Sequence, residues 1–275
     1  MYFVRWDPDT RGILLLDHTG PDVVDGELRP VFFEELDLLG LNQHWGYPHC
    51  PEPLLWAVGR RYYHRGEFVA EAKGGGFFEA PRIVLQREEL NLEPVDVPAM
   101  LERNGALLEG LAFRAIEFIR DQHDRRRRRT DIFAVAFSGG KDSQVVLDLV
   151  QRALPPDEFA VVFADTTMEL QVTYQAVERA RQDYPNLRFH VAKSHLAAPE
   201  SWRLFGPPSR MHRWCCSVHK TAPTMLKLRE LVGTAAVDAV VFDGCRRAES
   251  QRRFGYTPVS AGCKHPTQVN ISPIL

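Results

Sequence analysis

The chain of 275 residues lacks several features at once. No apolar run exceeds strand length, well short of the ~20 residues that span a bilayer. The opening Met1-Tyr2-Phe3-Val4-Arg5-Trp6-Asp7 has neither the basic stretch nor the apolar core of an export signal. Five cysteines, an odd number without such a signal, argue against a disulfide framework and predict reduced thiols. A dominant charge is missing too: 34 Lys and Arg against 36 Asp and Glu leave a formal net charge of -2. Bulk charge therefore argues against a protein that coats nucleic acid. No internal repeat is present. His212, His219 and His265 stand near cysteines but match no zinc spacing, so they read as solvent- or phosphate-facing. What remains is an ordinary globular composition, 44% hydrophobic and 25% charged. It predicts a cytoplasmic protein with no membrane partner, with enzyme the favoured class.

Three stretches differ in character. Residues 1–97 read as a small β-rich module with at most one helix, built from apolar segments such as Ile13–Leu16, Val31–Phe33 and Ile83–Leu85. Arg60–His64 and Phe68–Ala72 flank Arg65-Gly66-Glu67 as a hairpin, and Gly74-Gly75-Gly76 is a joint or turn. Tyr62-Tyr63 reads as module core before base-stacking platform, and Cys50 receives no role. Over 98–130, Leu101, Leu108, Ala112, Ala115, Ile116 and Ile119 recur near helical spacing. They predict a long linking helix ending in the basic run Arg125–Arg129. Cations suit a helix C-terminus on their own, so the run reads first as a solvated face and second as a nucleic-acid contact.

From 131 to 275 strands alternate with helices. The predicted strands are Ile132–Phe137, Phe159–Phe163, Leu187–Val191 and Val237–Phe242. Ser143–Arg152, Val172–Asp183 and Ala222–Leu231 are the helices between them. This alternation predicts an α/β fold, a parallel sheet with helices on both faces.

The chemistry concentrates at Ser138-Gly139-Gly140-Lys141-Asp142-Ser143, between the first of these strands and its helix. Two glycines let the backbone approach an anion and turn N–H groups toward it. The helix N-terminus adds a favourable field of about 0.3–1 kcal/mol. Lys141 adds a charge-assisted contact of roughly 1.5–3 kcal/mol, and Ser143 offers a hydroxyl. The glycine–lysine spacing is too short for a Walker A loop. A plain turn would have no use for Lys141 between Gly140 and Asp142.

Ser138–Ser143 resembles the pyrophosphate loop of the N-type ATP pyrophosphatases, and within them the phosphoadenosine-phosphosulfate reductase-like family. Three further elements follow in the family's order. Asp165-Thr166 resembles the Asp-Thr element beside the adenosine. Arg213-Trp214-Cys215-Cys216, with Lys220 and Pro223, resembles the segment that closes over substrate. Gly244-Cys245-Arg246-Arg247-Ala248-Glu249-Ser250, with Arg252-Arg253, resembles the Gly-x-Arg-Arg-x-Glu-Ser signature.

The resemblance implies a Rossmann-like adenine nucleotide α-hydrolase fold and cleavage of ATP between its α- and β-phosphates, with Mg²⁺ bridging them. A substrate oxygen attacks the α-phosphate, pyrophosphate leaves into the loop, and AMP becomes the leaving group for a later nucleophile. Positioned cations stabilise such transferring phosphoryl groups, and Lys141, Arg246 and Arg247 are the expected catalytic cations. Ser138 through Ser143, Asp165, Thr166 and Gly244 are the expected nucleotide-binding residues. Arg213, Lys220, Glu249 and Arg252 are candidates for substrate binding. Asp142 reads equally as a Mg²⁺ ligand or a helix-capping carboxylate.

Iron–sulfur reductases of this family hold a [4Fe–4S] cluster with a Cys-Cys pair and a second pair near the C-terminus. That second pair is absent. Cys215, Cys216, Cys245 and Cys263 therefore keep three readings: a cluster off the family's spacing, a sulfur relay, or small semi-buried hydrophobes. The end, Val269–Leu275, reads as an apolar lead-in to further structure, and the family continues past this point.

The N-terminal extension with Arg-Trp-Cys-Cys looks more like the DNA-phosphorothioation enzymes than the compact reductases. The leading expectation is therefore an ATP pyrophosphatase that adenylates the DNA backbone for sulfur incorporation, supplied by a sulfur donor such as a cysteine desulfurase. Reduction of adenosine phosphosulfates is the alternative, and a nucleotide-sensing, DNA-binding module without turnover is the second. From Ser201 to Leu275, eight Arg and three Lys face two Asp and two Glu. The near-neutral total thus hides a basic end suited to ATP and to a DNA phosphate.

Overall fold

Alternating apolar and polar residues in short runs build the first part of the chain into antiparallel sheet. The computed structural model describes residues 2–20, 22–76, 79–209, 211–262 and 267–275, without the side chains of Ala248, Gln251 and Arg252. The chain forms two compact units, Met1–Leu111 and Ala112–Leu275.

In the first unit β1 (Phe3–Asp7) pairs antiparallel with β2 (Gly12–Leu16). Then follow β3 (Leu28–Val31), α1 (Phe33–Leu38), β4 (Trp45–Gly46), β5 (Leu55–Val58), β6 (Arg61–His64), β7 (Glu67–Lys73), β8 (Arg82–Leu85) and β9 (Leu90–Asn91). A five-stranded antiparallel sheet runs β3-β5-β6-β7-β8. The β6–β7 turn has Arg65 at φ 51 and Gly66 at φ 89, the twist-matched geometry two-residue hairpins favour. Trp6 packs against Gly66 so closely that a Cβ there would lie 2.9 Å from its ring. Val31–Phe33 is not a strand: Val31 closes β3 and Phe33 opens α1.

A long helix, α2 (Val97–Arg126), comes next. Its first turns belong to this unit through the buried Asn104, which takes the place of a strand neighbour for β2. The Asn104 Oδ1 accepts the Leu15 N–H at 2.7 Å, and its Nδ2 donates to the Ile13 carbonyl at 2.8 Å. Leu101 and Leu108, expected on the apolar stripe, are exposed. The helix stops at Arg126, so Arg127–Arg129 lie in the turn beyond it.

The second unit holds β10 (Ile132–Phe137), α3 (Lys141–Ala153), β11 (Ala160–Asp165), α4 (Gln171–Asp183), β12 (Phe189–Lys193) and α5 (Ala198–Phe205). After these come α6 (Trp214–Cys216), α7 (Ala222–Val232), β13 (Ala239–Phe242), α8 (Gln251–Phe254), β14 (Val259–Ala261) and β15 (Gln268–Ile271). Ser217–Thr221 joins α6 to α7 as a π-helical turn. The sheet order is β12-β11-β10-β13-β15-β14, all parallel except β14. Residues read as a lead-in to further structure thus include the end of a parallel strand of this sheet, β15.

Strand alternation explains the two covered faces. Phe133, Val135 and Phe137 join Val146, Val150 and Ile119 in one core, while Ala134 joins Met225 and Leu228 in the other. With helices on both sides, the strands are apolar throughout. The chain leaves β10 for β11 and β12 on one side, then crosses to β13 on the other. Such a switch point opens a crevice beyond the C-terminal strand ends.

Candidate nucleotide site

The loop Ser138–Ser143 enters that crevice directly from β10. Gly139 takes φ 75, and a Cβ there would stand 3.1 Å from the Thr173 carbonyl oxygen, so glycine satisfies both backbone and space. The Ser143 hydroxyl donates to the Gly140 carbonyl at 2.8 Å and accepts the Ser138 N–H at 3.2 Å. Its proton is therefore committed inside the loop, which it braces. Gly140 caps α3 without a side chain, leaving the first-turn N–H groups facing the crevice.

The Gly244 segment meets the same turn. A Cβ at Gly244 would lie 2.9 Å from the Asp142 carbonyl carbon, so the loop after β13 needs glycine at this position for the two loops to touch. Asp142 then collects two cations: Lys141 Nζ at 3.0 Å and Arg246 Nε at 3.1 Å, both on Oδ1. Lys141 is otherwise open to solvent. These contacts bring together residues separated by a hundred positions of sequence.

A cavity of about 520 Å³ opens here, lined by Gly140, Lys141, Ser143, Gly244, Cys245 and Arg253 among others. Glu249 lines it too, paired with Arg253. Arg247 is exposed and opens the turn Arg247–Glu249 without lining the cavity. The side chain of Arg252 lies outside the described residues. Among the described residues Arg253, which ends the expected motif, is the arginine lining this cavity, and Arg246, expected there, is not in its lining. A second cavity of about 250 Å³ shares Ala136, Ser138 and Asp243 with the first, and Glu169 and Lys220 add charge to its apolar walls.

Asp243 was missed by sequence reasoning, although a carboxylate just past a buried strand and before Gly244 was the available signal. Burial pushes its carboxyl up, against the Ser272 hydroxyl at 2.6 Å, the Cys245 N–H at 3.1 Å and the charge of Arg253. Burial also pushes the Cys245 thiol up, with the charge of Arg253 opposing. At the end of β11, Asp165 is pushed up by burial, but the Thr167 N–H, the Tyr174 hydroxyl (both 2.8 Å) and Lys193 outweigh this and hold it low. Thr167 sits at φ 61, a strained conformation for a β-branched residue. The buried Thr166 donates its hydroxyl to Glu169 at 2.8 Å.

Cys215 and Cys216 lie half-buried in α6, with Arg213 Nη2 4.0 Å from Cys216 Sγ. Among the described residues no three His, Cys, Asp or Glu side chains gather as a metal-binding set, and Cys263 and His265 lie outside them. For Mg²⁺ the fit is partial. Asp142 is a suitable oxygen ligand, but one carboxylate holding two cations leaves the remaining oxygens to nucleotide phosphates and water.

A family model described as the phosphoadenosine phosphosulfate reductase domain matches residues 132–275. The chain belongs to this family. Family membership covers the whole sheet, from β10 onward. The chain is 30% identical over 179 residues to an uncharacterized protein of Methanocaldococcus jannaschii, covering 64% of this chain and 35% of that one. It is 32% identical over 129 residues to an adenosine 5'-phosphosulfate reductase of Geobacillus thermodenitrificans, covering 46% and 51% respectively. The chain thus spans about a third to a half of these relatives. A phosphoadenylyl-sulfate reductase structure from Candida auris superposes with TM-score 0.39 at 16% identity, over 57% of this chain and 71% of that one. Among the described residues no helix is long and apolar enough to cross a membrane.

Proposed function

We propose that this member of the family binds ATP across the two cavities and cleaves it between the α- and β-phosphates. The observation that carries this reading is the junction of Lys141, Asp142, Gly244 and Arg246, which brings two cations to the first turn of α3, a helix whose N-terminus has no side-chain cap and borders the larger cavity. The β- and γ-phosphates would occupy the Ser138–Ser143 loop, and the nucleoside the more apolar second cavity. An oxygen of the substrate attacks the α-phosphorus as the bond to the β-bridging oxygen breaks, and pyrophosphate leaves with that electron pair. Lys141 and Arg246 stabilise the negative charge that builds on it. Bound Mg²⁺ would supply further charge neutralisation between the phosphates.

The adenylated substrate we propose is a backbone phosphate of DNA, activated for sulfur incorporation from a separate donor such as a cysteine desulfurase. Supporting this is the charge of the second unit, 24 basic against 17 acidic residues, whereas the first carries 10 against 19. The cations at the strand C-terminal ends are the ones in reach of that chemistry. Arg127–Arg129 precede β10 and stand at the opposite end of a six-residue strand, about 20 Å away. Pyrophosphate release from ATP, with and without DNA, tests the reading: activity lost in Lys141→Ala is expected, and no release above that variant overturns it. The second reading is reduction of an adenosine phosphosulfate, the activity named for a relative matched over about half its length. Sulfite release from a phosphosulfate with a thiol donor would establish it.

A further inference from the structure

We infer that the face of α5 carrying Trp202 and Phe205, with Arg203 and Arg213 beside it, is a stacking ledge for an unpaired stretch of DNA, so that the acceptor is taken as a single strand and not as duplex. The inference rests on the proposal above that DNA supplies the acceptor phosphate, and names the form of DNA which that site takes.

α5 follows the C-terminal end of β12, the end of the sheet at which the crevice opens. Its start is tied to the loop after β11, where the Ala198 N–H donates to the Thr167 hydroxyl at 2.9 Å. Ala198 and Ser201 form its buried side. Trp202 and Phe205, three positions apart and so neighbours on the helix surface, are 43% and 51% exposed. Phe205 is backed by Trp214, with ring centroids 5.2 Å apart, and Trp214 by the fully buried His219 at 5.9 Å. The ledge is thus braced from behind and open in front. The π-helical turn after Trp214 reaches the second cavity through Lys220, so the ledge and the nucleotide site share one end of the sheet. Residues 201–216 carry three arginines and no acidic residue, and Arg203 and Arg213 are exposed. Cations without acidic partners are costly to enclose in a protein interface and suit phosphates that stay in solvent. Exposed rings beside arginines are what a single strand can use, its bases stacking on the rings while its backbone follows the charge. In a duplex the bases stack on one another and offer these rings no face.

The test is fluorescence anisotropy of the full chain with a labelled mixed-sequence DNA strand of about 12 nucleotides, alone and annealed to its complement, without ATP. The wild type is expected to bind the single strand at least ~5-fold tighter than the duplex, the least that one stacked base supplies. Trp202→Ala and Phe205→Ala should each weaken single-strand binding by a similar ~5-fold and move duplex binding little. Trp202→Phe, which keeps a ring, should retain most of the single-strand affinity. Leu226→Ala removes a side chain that is 60% exposed on α7 and lines neither cavity, and should leave both affinities unchanged. Duplex bound as tightly as the single strand, or single-strand binding untouched in both alanine variants, overturns the inference and leaves a DNA acceptor standing. Binding of neither form overturns the DNA acceptor along with it, and ATP cleavage is then judged separately by pyrophosphate release.

Discussion

Gly244 and Asp142 approach so closely that a single methyl group at position 244 would sit 2.9 Å from the Asp142 carbonyl carbon and 3.1 Å from its Cβ. The loop after β13 and the first turn of α3 are therefore fitted to each other, and Arg246 reaches Asp142 because of it. In Gly244→Ala the backbone of one loop must move. The expected cost in stability is about 1–3 kcal/mol, as for overpacking elsewhere. Pyrophosphate release should fall by more than thermal melting accounts for, since the cations separate.

Arg246 and Arg247 are adjacent but placed differently. Arg246 Nε stands 3.1 Å from Asp142 Oδ1 as an ion pair, and lysine would bring a compact point charge in place of the planar guanidinium. Arg246→Lys keeps the charge but not the planar guanidinium, and is expected to lower kcat roughly 100-fold, the scale of losing one preorganised donor. Arg247→Lys, at an exposed position, should have a much smaller effect on the same steady-state assay.

His219 is fully buried, and among the described residues neither ring nitrogen has a hydrogen-bond partner; its ring lies 5.9 Å from that of Trp214. Burial holds its pKa below the ordinary 6.5. The unfolded chain therefore takes up a proton at higher pH than the folded one. The stability linked to His219 is complete above pH 6.5 and is lost as pH falls from there through the folded-state value. Melting temperatures at neutral and mildly acidic pH should diverge less in His219→Phe than in the wild type. An unchanged difference would mean that other groups, such as the similarly lowered His64 and His190, dominate.

Asp165 touches Thr167, Tyr174 and Lys193 at once, holding a strained turn beside the second cavity. Asp165→Asn weakens the charged half of this arrangement, worth about 1.5–3 kcal/mol for a bond to an ionised group. The expected signature is a raised KM for ATP with kcat largely kept, because the residue positions the nucleoside side and not the phosphates.

The basic run offers a negative control. Alanine at Arg127, Arg128 and Arg129 together should leave pyrophosphate release from ATP unchanged, because these residues lead into β10 and the loop leaves it. Any loss of DNA affinity in that variant would show as a shallower dependence of binding on salt.

The central strands were legible because each is buried on both faces and reads as one apolar run; Ile132–Phe137 was placed residue for residue. The Arg65-Gly66 hairpin was legible because its turn chemistry is local. The helical start at Trp214–Thr221 was not, since Cys-Cys-Ser-Val-His has weak helix propensity and packing decides it. The strands Val259–Ala261 and Gln268–Ile271 are short and partly polar, so only their pairing reveals them. In the site, loop and arginine motif could be named separately. Their contact through Asp142, and the place of Asp243 between two cavities, depend on sheet order, which no local pattern encodes.

The chain leaves the sheet after β13, carries Arg246, Glu249 and Arg253 past the crevice, and returns to the same edge as β14 and β15. Both ends of this excursion are anchored while its middle is surface. Because Arg246 pairs with Asp142 and Cys245, Glu249, Arg253 and Tyr256 line the phosphate cavity, exchanging this excursion would change phosphate contacts and acceptor choice together. A new acceptor for the same activated nucleotide would therefore be acquired through residues 245–258 only along with a new set of phosphate contacts, by evolution or by grafting.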